Sequence, residues 1–316
     1  GLSLETTRTI EFDTDEGTWL SLDMSADGRW IVFDLLGDLY VIGAQGGEAR
    51  RLTSGAAFDS QPVFSPDGRW IAFLSDRSGA ENLWIMGSDG SAPRQVSVRD
   101  DNTVFVSPEW AADGRALYVS HHRADLNGFE LWQFDPSTAG EGMLLLPVKP
   151  APEAPRESWA SALGAVPSPD GRYLYYASHV GDTDDEHVPE WTLRRRDLAS
   201  GAEETVVSAP RSPRPDLVIG TAFRPILSPD GRHLVYGARY QGQTGLRMLD
   251  LATREDRWLA FPVQHDELMA GPWRDLLPRY DFTPDGRALI VNLGGRIARL
   301  DVATGASQDI PFRARV

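Results

Sequence analysis

The sequence predicts an all-β chain folded as a six-bladed β-propeller with four-stranded antiparallel blades. Two observations carry that expectation. A turn motif ending in Asp-Gly-Arg occurs six times, and its glycines, Gly28, Gly68, Gly114, Gly171, Gly231 and Gly286, lie 40, 46, 57, 60 and 55 residues apart. Each copy leads into a short run that is apolar on both faces, such as "WIAFLS" after Arg69 or "YLYYAS" after Arg172. Repeats of about 40–50 residues made only of strands are the mark of propeller blades.

Each element of the repeat has a physical role. In "SPDG" the proline presets φ, the aspartate bonds its own turn, and the glycine accepts a positive φ. The turn therefore joins two neighbouring strands of a hairpin. The apolar run after it suits a strand sandwiched between two other layers. A third strand follows ("NLWIM", "FELWQFD", "GLRMLDL", "GRIARLD"), then a short turn and an outer strand ("ARRLT", "PRQVS", "EETVV", "DRWLA"). Even the 60-residue interval is too short to hide two units of about 40 residues. The expected organisation is one domain over 1–316, with blades near 19–53, 60–97, 104–146, 160–207, 222–260 and 278–312. Residues 1–18 hold a spare strand, Arg8–Phe12, that would clasp the ring near the C-terminal strand, and Gln308–Phe312 would be the last outer strand. Six copies of Asp-Gly-Arg in one chain cannot all be active sites, so the motif reads as architecture.

Composition narrows the function. The formal net charge is −15, and Lys149 is the single lysine against thirty arginines. A nucleic-acid binder carries a basic face, so nucleic acid is not an expected partner. The chain has no cysteine, which removes disulfides, thiolate metal sites and cysteine nucleophiles. No stretch approaches the roughly 20 apolar residues of a membrane helix. The opening "GLSLETTRTIEF" lacks the basic and apolar regions of a signal peptide, so any such peptide is expected to have been removed.

The repeat resembles the TolB-like propeller family over essentially the whole chain. "TDEGTWLSLDMSADGRWIVFDLLGDLYVI", "RYQGQTGLRMLDL" and "WRDLLPRYDFTPDGRALIV" further resemble the amino-terminal propeller of large exported proteins of the amidohydrolase family. That resemblance implies a periplasmic or secreted location, and a metal-dependent hydrolase domain further along a longer polypeptide. The hydrolase's metal would sit in that downstream domain, and no cofactor is expected in this chain. An amidohydrolase barrel needs a His-x-His pair; the histidines here stand at 121, 122, 179, 187, 233 and 265, and no two are separated by one residue. Metalloprotease, nucleophile-elbow and phosphate-loop motifs are missing as well.

Candidate sites follow from the turns. The first and third turns of each blade emerge on one side of the disc and are short; the second turns and interblade links emerge on the other. The long segments His121–Phe129, Pro147–Trp159, His179–Glu190, Ser208–Thr221, Gly237–Gly245 and Phe261–Arg279 all belong to that second side. One-sided elaboration of a scaffold is where binding sits. The candidate binding residues there are Trp159, His179, Arg239, Tyr240, His265, Trp273, Arg274, Asp275 and Arg279, because aromatic and arginine side chains anchor interfaces. The plainer alternative makes Trp159 and Trp273 plugs that hold loops to the disc, and Arg274–Asp275 a local ion pair. Asp182, Asp184 and Glu186 have the alternating oxygens with which a calcium loop begins, but His187 and Leu193 stand where such a loop needs Gly and Glu; a solvated loop is the simpler reading. The expected function is a non-catalytic propeller domain of an envelope or secreted amidohydrolase, acting as scaffold, docking surface or substrate gate. Its partner would be the downstream catalytic domain, or a protein or peptide on the long-loop face. Two other classes remain open: a free-standing TolB-like module for protein or peptide, and a propeller lyase or glycosidase.

Overall fold

The computed structural model of the chain describes residues 10–100, 104–181, 190–208, 221–263 and 274–316. They form six four-stranded antiparallel blades in a ring. Blade one is Leu22–Met24, Trp30–Leu35, Asp38–Gly43 and Gly47–Arg51, and blade two is Asp59–Phe64, Trp70–Ser75, Asn82–Gly87 and Arg94–Gln95. Blade three is Val104–Trp110, Leu117–Arg123, Gly128–Phe134 and Met143–Leu146; blade four is Ala160–Pro167, Tyr173–Val180, Thr192–Asp197 and Glu203–Val207. Blade five is Ala222–Leu227, His233–Tyr240, Gln243–Asp250 and Asp256–Ala260, and blade six is Asp281–Phe282, Ala288–Leu293, Arg296–Asp301 and Ser307–Asp309. Among the described residues the one helical turn is Arg156–Ser158.

The repeated turn is built alike in five blades, and in blade three Ala111 replaces the hydroxyl residue and, of the side-chain bonds, only the aspartate-to-amide one remains. In blade two Asp67 Oδ1 accepts from Ser65 Oγ at 2.6 Å and from the Arg69 amide at 3.1 Å, while Ser65 Oγ accepts from the Trp70 amide at 3.0 Å. Gly68 sits at φ 69°, the left-handed region that a β-branched residue enters only with strain. The turns also touch around the ring: the proline of one turn lies against the glycine of the next, as in Pro284 to Gly28, Pro66 to Gly114 and Pro169 to Gly231. Gly68 and Gly171 lack that neighbour, because Ala26 and Ala112 stand where the preceding blade would offer proline.

Between blades the apolar second and third strands pack face to face. Ile31, Phe33, Tyr40 and Ile42 of blade one meet Ile290 and Ile297 of blade six, and the Phe33 ring packs tilted against Phe312 at 5.1 Å. Burying a side chain of this size contributes about 1.5–3 kcal/mol.

Ring closure differs from expectation in one respect. The outer strand of blade six ends at Asp309, and Phe312–Arg315 forms a separate strand pairing in parallel with Gly47–Arg51 of blade one. Pro311 lies between them; with no amide to donate it cannot continue the blade-six ladder, and its carbonyl instead accepts from Gly47 at 2.8 Å. The N-terminal segment then covers this strand. Asp13 pairs with Arg315 and Thr14 with Ala314, and Arg313 and Arg315 reach Asp13 and Glu11 at 2.6 Å. Of the expected clasp Arg8–Phe12, Arg8 and Thr9 lie outside the described residues.

Two segments expected as long loops are strand extensions. The second hairpin of blade three pairs as far as Arg123 and Gly128, and that of blade five as far as Tyr240 and Gln243. Backbone pairing continues to the ends of both hairpins, where the length of the segments had suggested loops.

Two outcomes test the turns and one the seams. Gly68→Val should cost about 1–3 kcal/mol from backbone strain alone, since a Cβ at Gly68 meets nothing within 4 Å. Ala26→Pro should stabilise by about 0.4–1 kcal/mol; thermal melts check both, and an unaffected Gly68→Val would refute the turn geometry. At the blade two–three seam Glu81 Oε1 accepts from the Phe105 amide at 2.6 Å, and burial pushes its pKa up to about 7. A carboxyl that holds its proton more tightly folded than unfolded loses stability as pH rises between about 4.3 and the folded value. Glu81→Gln should therefore raise the melting temperature at pH ~8 and leave it nearly unchanged at pH ~4.

Candidate binding site

The inner strand of every blade has one edge paired within its blade and one edge facing the central tunnel. Aligned on the turn glycine, the residue seven positions earlier reads Ser21, Gln61, Ser107, Gly164, Arg224 and Arg279 around the ring. The ladder slips at this point in blades two to five, between Ser60 and Val63, Val106 and Glu109, Leu163 and Val166, and Phe223 and Ile226. Gln61, Ser107, Gly164 and Arg224 there adopt φ of 52°, 56°, 65° and 49°. Bulges of this kind re-aim a side chain, and here they deliver polar groups to the axis.

Two tiers of polar contacts cross the tunnel. In the tier nearer the Asp-Gly turns, Arg279 of blade six is buried and its Nε and Nη2 donate to Asp23 Oδ1 of blade one at 2.9 and 2.8 Å. Its Nη1 donates to Glu109 Oε2 of blade three, on the opposite wall. The second oxygen of Asp23 accepts from the Phe64 amide at 2.7 Å. Asp281 completes the group, accepting from the amides of Phe282 at 2.8 Å and Met24 at 3.3 Å. Burial, then the nearby Asp23, hold the Asp281 carboxyl well above the usual carboxylate range. Burial likewise raises Glu109, against the pull of Arg279. Burial alone would lower the Arg279 pKa, but Asp23 and Glu109 raise it overall.

The tier below is a second crossing. Arg224 Nη1 lies 3.0 Å from Asp275 Oδ2, which also accepts from Ser107 Oγ across the tunnel. Ser107 in turn donates its amide to Gln61 Oε1 at 2.7 Å, and the Gln61 amide donates to Asp34 Oδ2 at 2.9 Å. Tyr280 closes the tier with a 2.5 Å bond to the Arg224 carbonyl.

These crossings turn the tunnel into a blind cavity on the Asp-Gly side. Its volume is about 380 Å³; Ala26, Pro66, Ala112, Pro169 and Pro229 rim it, Phe64, Trp110 and Leu227 wall it, and Asp23, Glu109, Asp281 and Arg279 floor it. No grouping of three or more metal-ligating side chains is set to hold an ion among the described residues. In the floor the cation is Arg279.

The sequence-predicted residues fall in several places. Arg279 and Asp275 are buried in the tunnel tiers, and Asp275 pairs with Arg224 of blade five where a local pair with Arg274 was the alternative. Arg274 instead lies 4.9 Å over the Phe58 ring, beside a cavity of about 250 Å³ lined by Trp19, Asp34 and Gln61 on the second-turn side. Trp159 donates to the Ala154 carbonyl at 3.0 Å, with Lys149 and Arg156 at 5.6 and 5.7 Å from its ring, which makes it the plug of the proline-rich segment. His179 bonds the Glu190 carbonyl at 3.1 Å and packs on Trp191. Tyr240 packs on Phe261 and Trp258, next to Arg239 in the same strand. His265, Trp273, Asp182, Asp184 and Glu186 lie outside the described residues. Of the floor only Arg279 was among the candidates; its acids were missed, although they leave a trace: five positions before each turn glycine the residues read Asp23, Val63, Glu109, Val166, Ile226 and Asp281. An acid replaces an aliphatic residue in three copies of one column.

Residues 23–183, about half the chain, match the tricorn protease N-terminal beta propeller domain. The chain belongs to that family. An uncharacterized protein of Agrobacterium fabrum is 32% identical over 101 residues, covering 31% of this propeller and 34% of that protein. The Tol-Pal system protein TolB of Bordetella pertussis is 45% identical over 56 residues, 17% of this chain and 13% of TolB. The matched segments thus span about a third or less of these curated relatives. The structure of TolB from Acinetobacter baumannii superposes with a TM-score of 0.63 over 95% of this propeller and 68% of that chain, at 14% identity. At that identity the likeness is one of fold: this is a TolB-like propeller.

Removing Arg279 leaves Asp23 and Glu109 buried without their cation. Arg279→Met should cost about 3–5 kcal/mol, whereas Arg274→Ala, on an exposed side chain, should stay within about 0.5 kcal/mol. Urea titrations of both variants check the contrast, and equal stabilities would show that the crossing is not formed.

Proposed function

We propose that this chain is a non-catalytic TolB-like binding domain that docks a protein or peptide segment at the mouth of the blind cavity. The observation that carries the reading is the cavity itself: a recess of about 380 Å³ with apolar walls, rimmed by short turns and closed beneath by Arg279. Pockets with apolar walls and a few fixed polar groups are the usual ligand sites. The floor carboxylates accept from Arg279 or from backbone amides, which supports a recognition role over acid–base chemistry. Passage of a small substrate would require breaking the Arg279–Glu109 crossing, so docking is favoured over gating. The Tol-Pal system protein TolB is a component of a multi-protein system by its name, which agrees with a protein partner. No described helix is long and apolar enough to cross a membrane. The segment resemblances support a place in a larger envelope or secreted amidohydrolase, with its catalytic domain as the neighbour.

The test blocks one face at a time. Ala112→Trp fills the mouth, and Tyr240→Ala removes an aromatic from the opposite face. With the partner captured from an envelope extract, or with the adjoining domain supplied in trans, Ala112→Trp should weaken binding at least roughly tenfold at unchanged melting temperature. Binding kept in Ala112→Trp and lost in Tyr240→Ala would move the site to the long-loop face.

A further inference from the structure

Two positions after each turn glycine stand Trp30, Trp70, Ala116, Tyr173, His233 and Ala288. Where this position is aromatic in blades two and four, the protein places its own arginine on the ring. Arg94 lies 5.7 Å over Trp70, and Arg195 and Arg172 lie 4.4 and 4.7 Å over Tyr173. Blade one has the same parts. Arg50 faces Val41 across the outer pair of strands just as Arg94 faces Ile85. Arg50 instead lies along the groove beside the ring, where it donates to the Asp89 carbonyl of blade two at 2.9 Å and leaves the ring face uncovered. Among the described residues no cation covers Trp30, which is 46% exposed.

The ring borders a groove of about 590 Å³ between blades one and two, on the Asp-Gly side. Phe64, Val41 and Pro66 form its apolar surface, and Asp27, Asp67 and Asp89 bring three carboxylates to it. Each is held below its ordinary pKa by a serine hydroxyl and backbone amides, so all are ionised at neutral pH. Arg69 occupies Asp67 at 2.6 Å, while Asp27 and Asp89 bond their own turns through one oxygen.

We propose that this groove is a site for an arginine side chain of a protein partner, whose guanidinium stacks on Trp30 in the place Arg94 takes over Trp70, with Asp27 and Asp89 as counter-charges. A guanidinium fits better than an ammonium because it is planar and more weakly hydrated. The overall charge of −15 favours the same cationic partner. The groove adjoins the mouth cavity, with which it shares Ala26, Phe64 and Pro66, but Trp30, Asp27 and Asp89 line the groove alone, and the proposal does not depend on docking at the mouth.

The test follows the Trp30 indole N–H in an NMR titration, assigned by its loss in Trp30→Phe. N-acetyl-arginine amide should shift it saturably and less at high salt, and the neutral N-acetyl-citrulline amide should not. Asp27→Asn with Asp89→Asn should weaken the effect several-fold, and Ala112→Trp should leave it intact. No shift with the arginine compound, or an equal shift with citrulline, overturns the proposal. Loss of the shift in Ala112→Trp would also overturn it, by assigning the effect to the mouth.

Discussion

Everything at the centre of this ring follows from an unpaired strand edge. Each inner strand bonds one neighbour and turns its other edge to a tunnel too narrow for a further strand. A buried amide without an acceptor is costly, so the acceptors come from side chains, most of them on neighbouring blades. Asp34 takes the amides of Ser21 and Gln61, Gln61 takes that of Ser107, Asp23 takes that of Phe64, and Ser120 takes that of Gly164. The bulge with positive φ at Gln61 puts its side chain into this service, while those at Ser107 and Arg224 aim theirs at Asp275, and strained backbone of that kind persists where its surroundings over-determine it.

Acceptors bring negative charge, and the two buried arginines answer it. Arg279 joins blade six to blades one and three, and Arg224 with Asp275 joins blades five and six to three. A buried ion pair adds little net stability against a well-packed apolar alternative. Its effect here is geometric: opposite walls are tied, the axis is closed, and a through-tunnel becomes a recess open on one side. Among the described residues, the recess and the groove at Trp30 open on that side, and the cavity beside Arg274 opens on the other.

Much of the fold was legible because its signal repeats. Six Asp-Gly turns with strand runs behind them determine the blade count, and in every turn the aspartate accepts from the amide two residues on. The alignment of the repeats also held a fainter signal, the acids at 23, 109 and 281 in an otherwise aliphatic column. What that column means depends on which blades face each other across the axis, and Glu109 reaches Arg279 only once the ring has closed. The pair Arg224–Asp275 leaves no local pattern at all. Long polar segments drew attention to the opposite face, yet two of them are hairpins that continue the ladder, a distinction that turns on pairing register. Arg274 next to Asp275 looked like a local pair, but the left-handed Asp275, at φ 79°, sends the carboxylate inward.

Residue-resolved hydrogen exchange on the native protein tests the closed axis most directly. The amides of Gln61, Phe64 and Ser107 belong to strand edges that would stand in water if the tunnel were open. With their acceptors Asp34, Asp23 and Gln61 in place they should exchange as slowly as the ladder amides of Trp70–Ser75. Exchange of these three at the rate of exposed turns would contradict the crossing and the blind recess built on it.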